Sequence, residues 1–392
     1  MSASPAEHGI EVSVVIPCLN EKDTIEICVK KAVKALRDSD ISGEVIVADN
    51  GSSDGSQKLA ENAGAKIVAV PDKGYGNALM AGIAAAAGKF IIMGDADDSY
   101  DFTDAPRFVE KLREGSDIVM GCRLPAGNGK IMPGAMPISH RLIGNPLFSW
   151  LARHMFHAPI HDVYCGLRGF TKIAYTRLGL RCTGMEFATE MVIKASLLKT
   201  NMTEIPITLY PDGRKTRAPH LRTFRDGWRT LRFFMLFSPR WLFLMPGAAL
   251  MALGVIGYAL AMPGIKLFGA TLDAHTLLFA SFFLLIGYQA VLFAAFAKVF
   301  AIGEGFHPTD ERIERFFSIM TLEKSLVLSM ALFLAGISFL GYSVYEWWLT
   351  NFGALDYPHT MRHVIPGVTL ATLGFQSFFS SCFISILGMK RK

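Results

Sequence analysis

The stretch Gly94-Asp95-Ala96-Asp97-Asp98-Ser99-Tyr100-Asp101 sets two carboxylates, Asp95 and Asp97, on either side of one small residue. That spacing lets both converge on a hard divalent cation such as Mg²⁺ or Mn²⁺, which can neutralise a pyrophosphate. The chemistry it suits is departure of a nucleoside diphosphate. A calcium loop of the EF-hand type is excluded, because counting from Asp95 puts Tyr100 at the sharp-turn glycine and Pro106 at the bidentate glutamate. Acid-rich turns also serve as solvated loops and helix caps, so the functional reading depends on matching groups at other strand ends.

The acids follow Phe90-Ile91-Ile92-Met93, an apolar run that reads as a buried strand, and open α/β sheets bind ligands outside the carboxyl ends of their strands. Upstream, Val12 to Pro17 reads as a first strand, followed by a helix capped by Asp23 or Thr24 and running to about Arg37. Glu44 to Asp49 is a second strand, ending in the tight-turn segment Asn50-Gly51-Ser52-Ser53-Asp54-Gly55. Lys66 to Val70 is a third strand, Gly76 to Ala87 a small-residue helix, Phe102 to Arg113 another helix, and Ile118 to Gly121 a fifth strand. Strands alternating with helices imply parallel βαβ units with right-handed crossovers. A dinucleotide-binding dehydrogenase is disfavoured, since the first turn, Pro17-Cys18-Leu19-Asn20-Glu21, lacks a glycine and Gly74-Tyr75-Gly76 follows the third strand instead.

Val14-Val15-Ile16-Pro17 with Asn20-Glu21, Asp49 with Gly51-Ser52-Ser53-Asp54-Gly55, Lys73-Gly74 with Gly76-Asn77-Ala78-Leu79, and Asp95-Ala96-Asp97 together resemble the family-2 glycosyltransferases of GT-A fold. More narrowly, the chain is similar to the polyprenyl-phosphate branch, which includes dolichyl-phosphate mannose and glucose synthases. The likeness runs over roughly residues 12–235. It implies a GT-A domain, a Rossmann-like and mostly parallel α/β sheet, that moves a sugar from a nucleotide sugar to a polyprenyl phosphate with inversion.

The resemblance carries over residue by residue. Pro17, Asn20 and Glu21 would border the base and ribose, Asp49 would hold the base or ribose edge, and Lys73 would approach the donor phosphates. Asp95 and Asp97 would position the metal and the sugar nucleotide, with Asp97 the more direct ligand. Arg123 resembles the family's strand-end arginine, and Arg141 with Asn145 repeats an Arg-x-x-x-Ser spacing with Asn for Ser. Guanidinium groups grip phosphate in bidentate fashion, so Arg123 and Arg141 are candidates for the lipid phosphate. Asp162 and Arg168 match an Asp-x-x-x-Gly-Phe-Arg segment with Leu167 for Phe, and would shape the sugar pocket or pair with one another. Glu186 would join that pocket or simply suit a helix N-terminus, and Arg214 and Arg217 would guide the anionic lipid head or serve membrane-surface electrostatics. A phosphate monoester with a second pKa of about 6 is already anionic, so no general base is needed. His140, His154, His157 and His161 show no spacing that demands metal or catalysis.

The chain has 392 residues, 51% of them hydrophobic, and a net charge of +5. The apolar residues concentrate beyond Trp241, in spans of roughly Trp241 to Met262, Thr276 to Phe300, Ser325 to Trp348 and Val364 to Gly388. At 1.5 Å per residue each exceeds the ~30 Å of hydrocarbon in a bilayer. Residues 1–11 read as a flexible start without a signal peptide, 12–220 as the GT-A domain, 221–240 as a juxtamembrane amphipathic helix, and 241–392 as a four-helix transmembrane domain. In the amphipathic helix Phe224, Trp228, Leu231 and Met235 share a face. Arg312, Arg315 and Lys324 between spans two and three, with the Lys390-Arg391-Lys392 tail, predict that the catalytic domain and both termini face the cytoplasm of a bacterial inner membrane. The six cysteines form no C-x-x-C pair and read as reduced core residues. No nucleic-acid partner is expected, and a homo-oligomer stays open. UDP-glucose is the favoured donor and GDP-mannose the next. Two other classes remain: a membrane glycosyltransferase acting on diacylglycerol or ceramide, and a non-catalytic sugar-nucleotide or lipid-binding membrane protein.

Overall fold

A computed structural model of the chain describes residues 9–215, 223–267 and 269–389. Two compact units result, Met1–Phe234 and Met235–Lys392. The first begins β1 (Val12–Cys18), α1 (Ile25–Asp38), β2 (Gly43–Asp49), α2 (Ser56–Asn62), β3 (Lys66–Ala69), α3 (Tyr75–Ala85), β4 (Phe90–Met93), α4 (Ala105–Arg113) and β5 (Ile118–Cys122). It continues β6 (Lys130–Ile131), α5 (Asn145–Phe156), β7 (Arg168–Thr171), α6 (Lys172–Leu178), α7 (Glu186–Leu197), β8 (Met202–Pro206), β9 (Thr208–Leu209) and α8 (Thr223–Leu236). These elements build a 7-stranded sheet of order β3-β2-β1-β4-β7-β5-β8.

The sheet is mostly parallel, as the alternating pattern predicts, but β7 runs antiparallel between β4 and β5. Neither β7 nor β8 follows from a simple βαβ reading, because each is short and their pairing is non-local. Strands β1, β4 and β5 are buried on both faces and so read as near-continuous apolar runs. Val12, Val14, Ile16 and Cys18 alternate toward the cluster that includes Cys28, Val29 and Ala32 of α1. On the opposite face Val15 meets α3 at Gly82, where an added Cβ would stand 2.5 Å from Val15 Cγ1. The small residues of α3 are therefore a packing requirement of the sheet.

The antiparallel insertion matters for the site. Arg168, the first residue of β7, registers against Met93 at the end of β4 and against Met120 of β5. The chain reversal that feeds β7 thus lies at the same sheet edge as Asp95 and Asp97.

Within the expected 221–240 segment a helix forms as α8. Among its described side chains Thr230 and Phe234 are buried, and Phe234 meets Phe148 and Phe156 edge-on, with centroids 6.1 and 5.5 Å away. Trp228 is exposed. Aromatic packing onto the catalytic unit, invisible in helical periodicity alone, sets the rotation of the helix.

The second unit contains α9 (Met245–Ala261), a hairpin of β10 (Lys266–Leu267) and β11 (Ala270–Thr271), α10 (Ala274–Gly303), α11 (Glu311–Ile319), α12 (Leu322–Leu349) and α13 (Tyr357–Gly388). Among the described residues, four helical stretches are long and apolar enough to cross a membrane: Arg240–Ala261, Ala274–Gly303, Leu322–Leu349 and Tyr357–Gly388. Small residues let them approach closely, as where Gly336 faces the α13 backbone at Ala371 and Gly367. Polar side chains bond between helices, Tyr258 with Ser281 and Thr369, and Tyr288 with Ser377.

Candidate active site

At the end of β2, Asp49 is 1% exposed and its Oδ2 accepts from Gly51 N, Ser52 N and Gln57 Nε2. Its Oδ1 is buried with no hydrogen-bond partner among the described residues. A buried carboxylate oxygen left unbonded is costly. The neighbouring Asn20, at φ 58°, accepts from Ser53 N through Oδ1 and donates its own N–H to Ser52 Oγ. Both residues shape the turn, and Asn tolerates the left-handed region. Pro17, next to the last residue of β1, is half-buried.

Asp95 and Asp97 emerge just beyond β4. Asp97 Oδ1 accepts from the Ser99 amide and hydroxyl at 3.1 and 2.6 Å, while its Oδ2 lies 3.6 Å from Arg214 Nη1. Asp95 Oδ1 accepts from the Tyr75 hydroxyl at 2.9 Å. Burial and the adjacent Asp97 charge push the Asp95 carboxyl up to about 6. The hard oxygen donors of the two carboxylates fit Mg²⁺ or Mn²⁺.

Two glycine patterns find a physical cause here. A Cβ on Gly166 would lie 2.4 Å from Asp95 Oδ2, so a side chain there would make this carboxylate or the segment before β7 shift. A Cβ on Gly74 or Gly76 would lie 2.3 Å from the Thr183 or Cys182 carbonyl oxygen. The Gly-x-Gly after β3 therefore seats a loop, and Tyr75 between the glycines reaches Asp95. Asn50 completes the seat by accepting from Gly74 N while donating to the Val70 and Asp72 carbonyls. Glu190 fixes the other side, accepting from the Arg181 and Cys182 amides and pairing with buried Lys194 at 2.8 Å. Lys73 is exposed beside this loop.

The arginines divide differently from expectation. Arg123, expected to face a lipid phosphate, is 7% exposed and fully engaged. Its Nε and Nη2 donate to Asp162 at 2.7 and 2.9 Å, and its Nη1 to the Tyr100 hydroxyl at 3.2 Å. Arg168, expected in the sugar pocket or on Asp162, is wholly buried and donates to the carbonyls of Cys165, Ala188 and Val163. Burial pulls its pKa below the usual guanidinium range. It staples the turn before β7 to α7, and Asp162 takes Arg123 instead. Both oxygens of Asp162 are engaged in that ion pair.

Arg214, expected to guide a lipid head, pairs with Glu21 and Asp212. It donates to both Glu21 oxygens at 2.7 Å and to Asp212, and Gly213 N donates to the Asp97 carbonyl at 2.9 Å. Burial opposes its charge, but Glu21, Asp97 and Asp212 outweigh that and raise its pKa. Glu21 is buried in this pair. Arg217 lies outside the described residues. Arg141 is exposed in the one-turn π segment His140–Gly144, and it forms no ion pair with a described residue. Asn145 is turned inward, its Nδ2 3.3 Å from Met136 Sδ, so the two do not present a joint exposed face. Glu186 opens α7, half-buried and 3.8 Å from Arg229 Nε.

Sequence reasoning passed over Tyr75, Tyr100 and Gln57. Tyr100 directly follows the acids, but its role bridging Arg123 and Gly166 N depends on contacts far apart in the chain. All six cysteines are free, and burial pushes the Cys18 thiol up to about 12, consistent with packing.

Residues 13–175 match the family model "Glycosyl transferase family 2", and residues 295–388 match "Glycosyltransferase family 2 C-terminal transmembrane region". The chain is 35% identical over 96% of its length, and 89% of the relative's, to the low-salt glycan biosynthesis hexosyltransferase Agl6 of Haloferax volcanii. It is 31% identical to the glycosyltransferase AglJ of the same organism over 55% of this chain and 68% of that protein. Glucosyl-3-phosphoglycerate synthase from Mycobacterium tuberculosis, crystallised with Mn²⁺, UDP and glucosyl-3-phosphoglycerate, superposes with a TM-score of 0.45 at 23% identity, over 59% of this chain and 79% of that one. The reading as a non-catalytic binding protein is thereby set aside: the chain is an integral membrane enzyme belonging to glycosyltransferase family 2, with a GT-A catalytic domain followed by a transmembrane region.

Proposed function

We propose that this enzyme transfers a hexose from a nucleotide sugar to a polyprenyl phosphate, with inversion and with a divalent cation. UDP-glucose is the favoured donor and GDP-mannose the next. The observation that carries the proposal is the convergence of Asp49, Asp95 and Asp97 at the carboxyl ends of β2 and β4, which flank β1. The relative named as a hexosyltransferase supports the class of sugar.

In this reading the unbonded Asp49 Oδ1 accepts from the base or ribose, with Pro17, Asn20 and Glu21 lining that end. Asp95 and Asp97 would hold Mg²⁺ or Mn²⁺, which supplies neutralisation of the departing pyrophosphate. Lys73 approaches the donor phosphates from the exposed loop, and Arg214 adds a fixed positive charge beside Asp97. The acceptor phosphate, with a second pKa of about 6, needs alignment and charge screening more than a base. Arg141 is the available guanidinium for it. Arg123 and Asp162 act as a rigid wall behind Asp95, and Asn145 and Arg168 hold the backbone. Glu186 borders the sugar pocket. The catalytic domain and both termini face the cytoplasm, with residues 221–240 at the membrane surface.

The test is sugar transfer by the purified full chain in liposomes, given undecaprenyl phosphate, Mg²⁺ or Mn²⁺ and a panel of UDP- and GDP-sugars. A prenyl-phosphate sugar formed from one donor, and lost without metal and in Asp97→Ala and Arg141→Ala, supports the proposal. Glycosylation of diacylglycerol or ceramide instead would transfer the function to a neutral acceptor.

A further inference from the structure

The second unit carries a group of side chains that sugar transfer does not use. His359 and His363 lie one turn apart in α13, and Glu346 stands near the end of α12. The candidate ligand atoms of these three lie within 4.8 Å of one another. His359 Nε2 is 3.3 Å from Glu346 Oε1, and the two imidazole rings are 4.9 Å apart in an edge contact.

Positions i and i+4 of a helix share a face, so both rings project toward the same neighbour, and that neighbour brings the carboxylate. A His–Glu ion pair alone would need only one imidazole. The second is positioned as a ligand usually is: His363 Nδ1 lies 3.2 Å from the His359 carbonyl oxygen, which leaves Nε2 to ligate. The Tyr342 and Phe339 rings, at 5.3 and 6.5 Å, pack against His363 and restrict its rotation. Around Zn²⁺, with Zn–N of about 2.0–2.1 Å, tetrahedral donors sit roughly 3.3 Å apart. The Glu346–His359 pair already has that spacing, and the third donor lies within 4.8 Å of both. Two imidazoles and one carboxylate suit Zn²⁺ and related first-row cations rather than Mg²⁺. His359 is exposed, so an ion can enter from solvent.

We propose that Glu346, His359 and His363 form a three-ligand site for Zn²⁺ or a similar transition-metal ion, with an open fourth position. Occupied, the site cross-links the end of α12 to the first turns of α13 and closes the loop of residues 350–356. It stands apart from the Asp95–Asp97 pair in ligand chemistry, so the two sites are separable by choice of metal.

The experiment titrates Co²⁺ into the tag-free full chain in detergent with Mg²⁺ in excess, which occupies oxygen-donor sites. Expected are about one Co²⁺ per chain with the intense visible bands of a low-coordinate nitrogen-ligated ion, displacement by Zn²⁺ but not by further Mg²⁺, and a Zn²⁺-dependent rise in melting temperature. His359→Ala and His363→Ala should each weaken binding by about tenfold or more, and Glu346→Gln, which conserves shape, should do the same. Absence of the bands in the wild-type chain overturns the proposal. So does an unchanged Co²⁺ affinity in either histidine variant, or in Glu346→Gln should the histidine variants fail to fold.

Discussion

The side chains of Arg123 and Asp162 close on one another across 39 residues of sequence, Nε to Oδ2 at 2.7 Å and Nη2 to Oδ1 at 2.9 Å, with Asp162 fully buried. Removing one partner of such a pair strands the other charge and costs about 3–5 kcal/mol. Arg123→Ala should therefore lower the stability of the catalytic unit by about that amount, read by thermal or denaturant unfolding of the full chain. An Arg123→Leu/Asp162→Leu double variant should lose less than the sum of the two single changes. If Arg123→Ala leaves stability unchanged and only weakens acceptor use, Arg123 belongs to the acceptor site after all.

Gly166 admits the backbone to Asp95, and a Cβ there would stand 2.4 Å from Oδ2. Gly166→Ala must displace one of the two, and a displacement near 1 Å in an active site can cost roughly 100-fold in rate. Sugar transfer should fall by about that factor while the melting temperature changes little. Full activity in Gly166→Ala would show that the Asp95 position is not critical.

The free oxygen of Asp49 should read out in donor binding. In Asp49→Asn, the Gly51, Ser52 and Gln57 donors need the remaining oxygen, and the vacant acceptor becomes a donor. The donor KM should rise about tenfold or more, equivalent to losing ~1.4 kcal/mol, with a smaller change in kcat. An equal loss in kcat and kcat/KM would point to a role in the transition state instead.

Asp95 supplies a pH dependence. Its carboxyl titrates at about 6, raised by burial and by Asp97 from an ordinary value of 3.8. Between those values the folded chain holds more protons than the unfolded one, so metal-free stability falls as pH rises through this window. Because a cation needs the ionised form, Mn²⁺ affinity should weaken as pH drops through about 6. Isothermal titration at pH 5, 6 and 7 checks the sign, and Asp95→Asn should flatten the profile.

Local chemistry determined much of this protein from sequence. The apolar runs β1, β2 and β4, the acids that follow β4 and the four spans are contiguous stretches, so periodicity and length suffice to read them. The ordered motifs from Pro17 to Asp97 likewise sit within short segments, and they pointed to the family. What only the tertiary structure decided is partnership. Arg123, Arg168 and Arg214 are interchangeable cations in sequence, yet one takes a buried carboxylate, one takes three carbonyls, and one spans Glu21 and Asp212 beside Asp97. Those assignments follow from β7 running antiparallel between β4 and β5 and from the segment at residues 209–214 running back along the acids. Burial makes each guanidinium find acceptors, but which acceptors are within reach is a property of the non-local pairing, and no spacing along the chain records it.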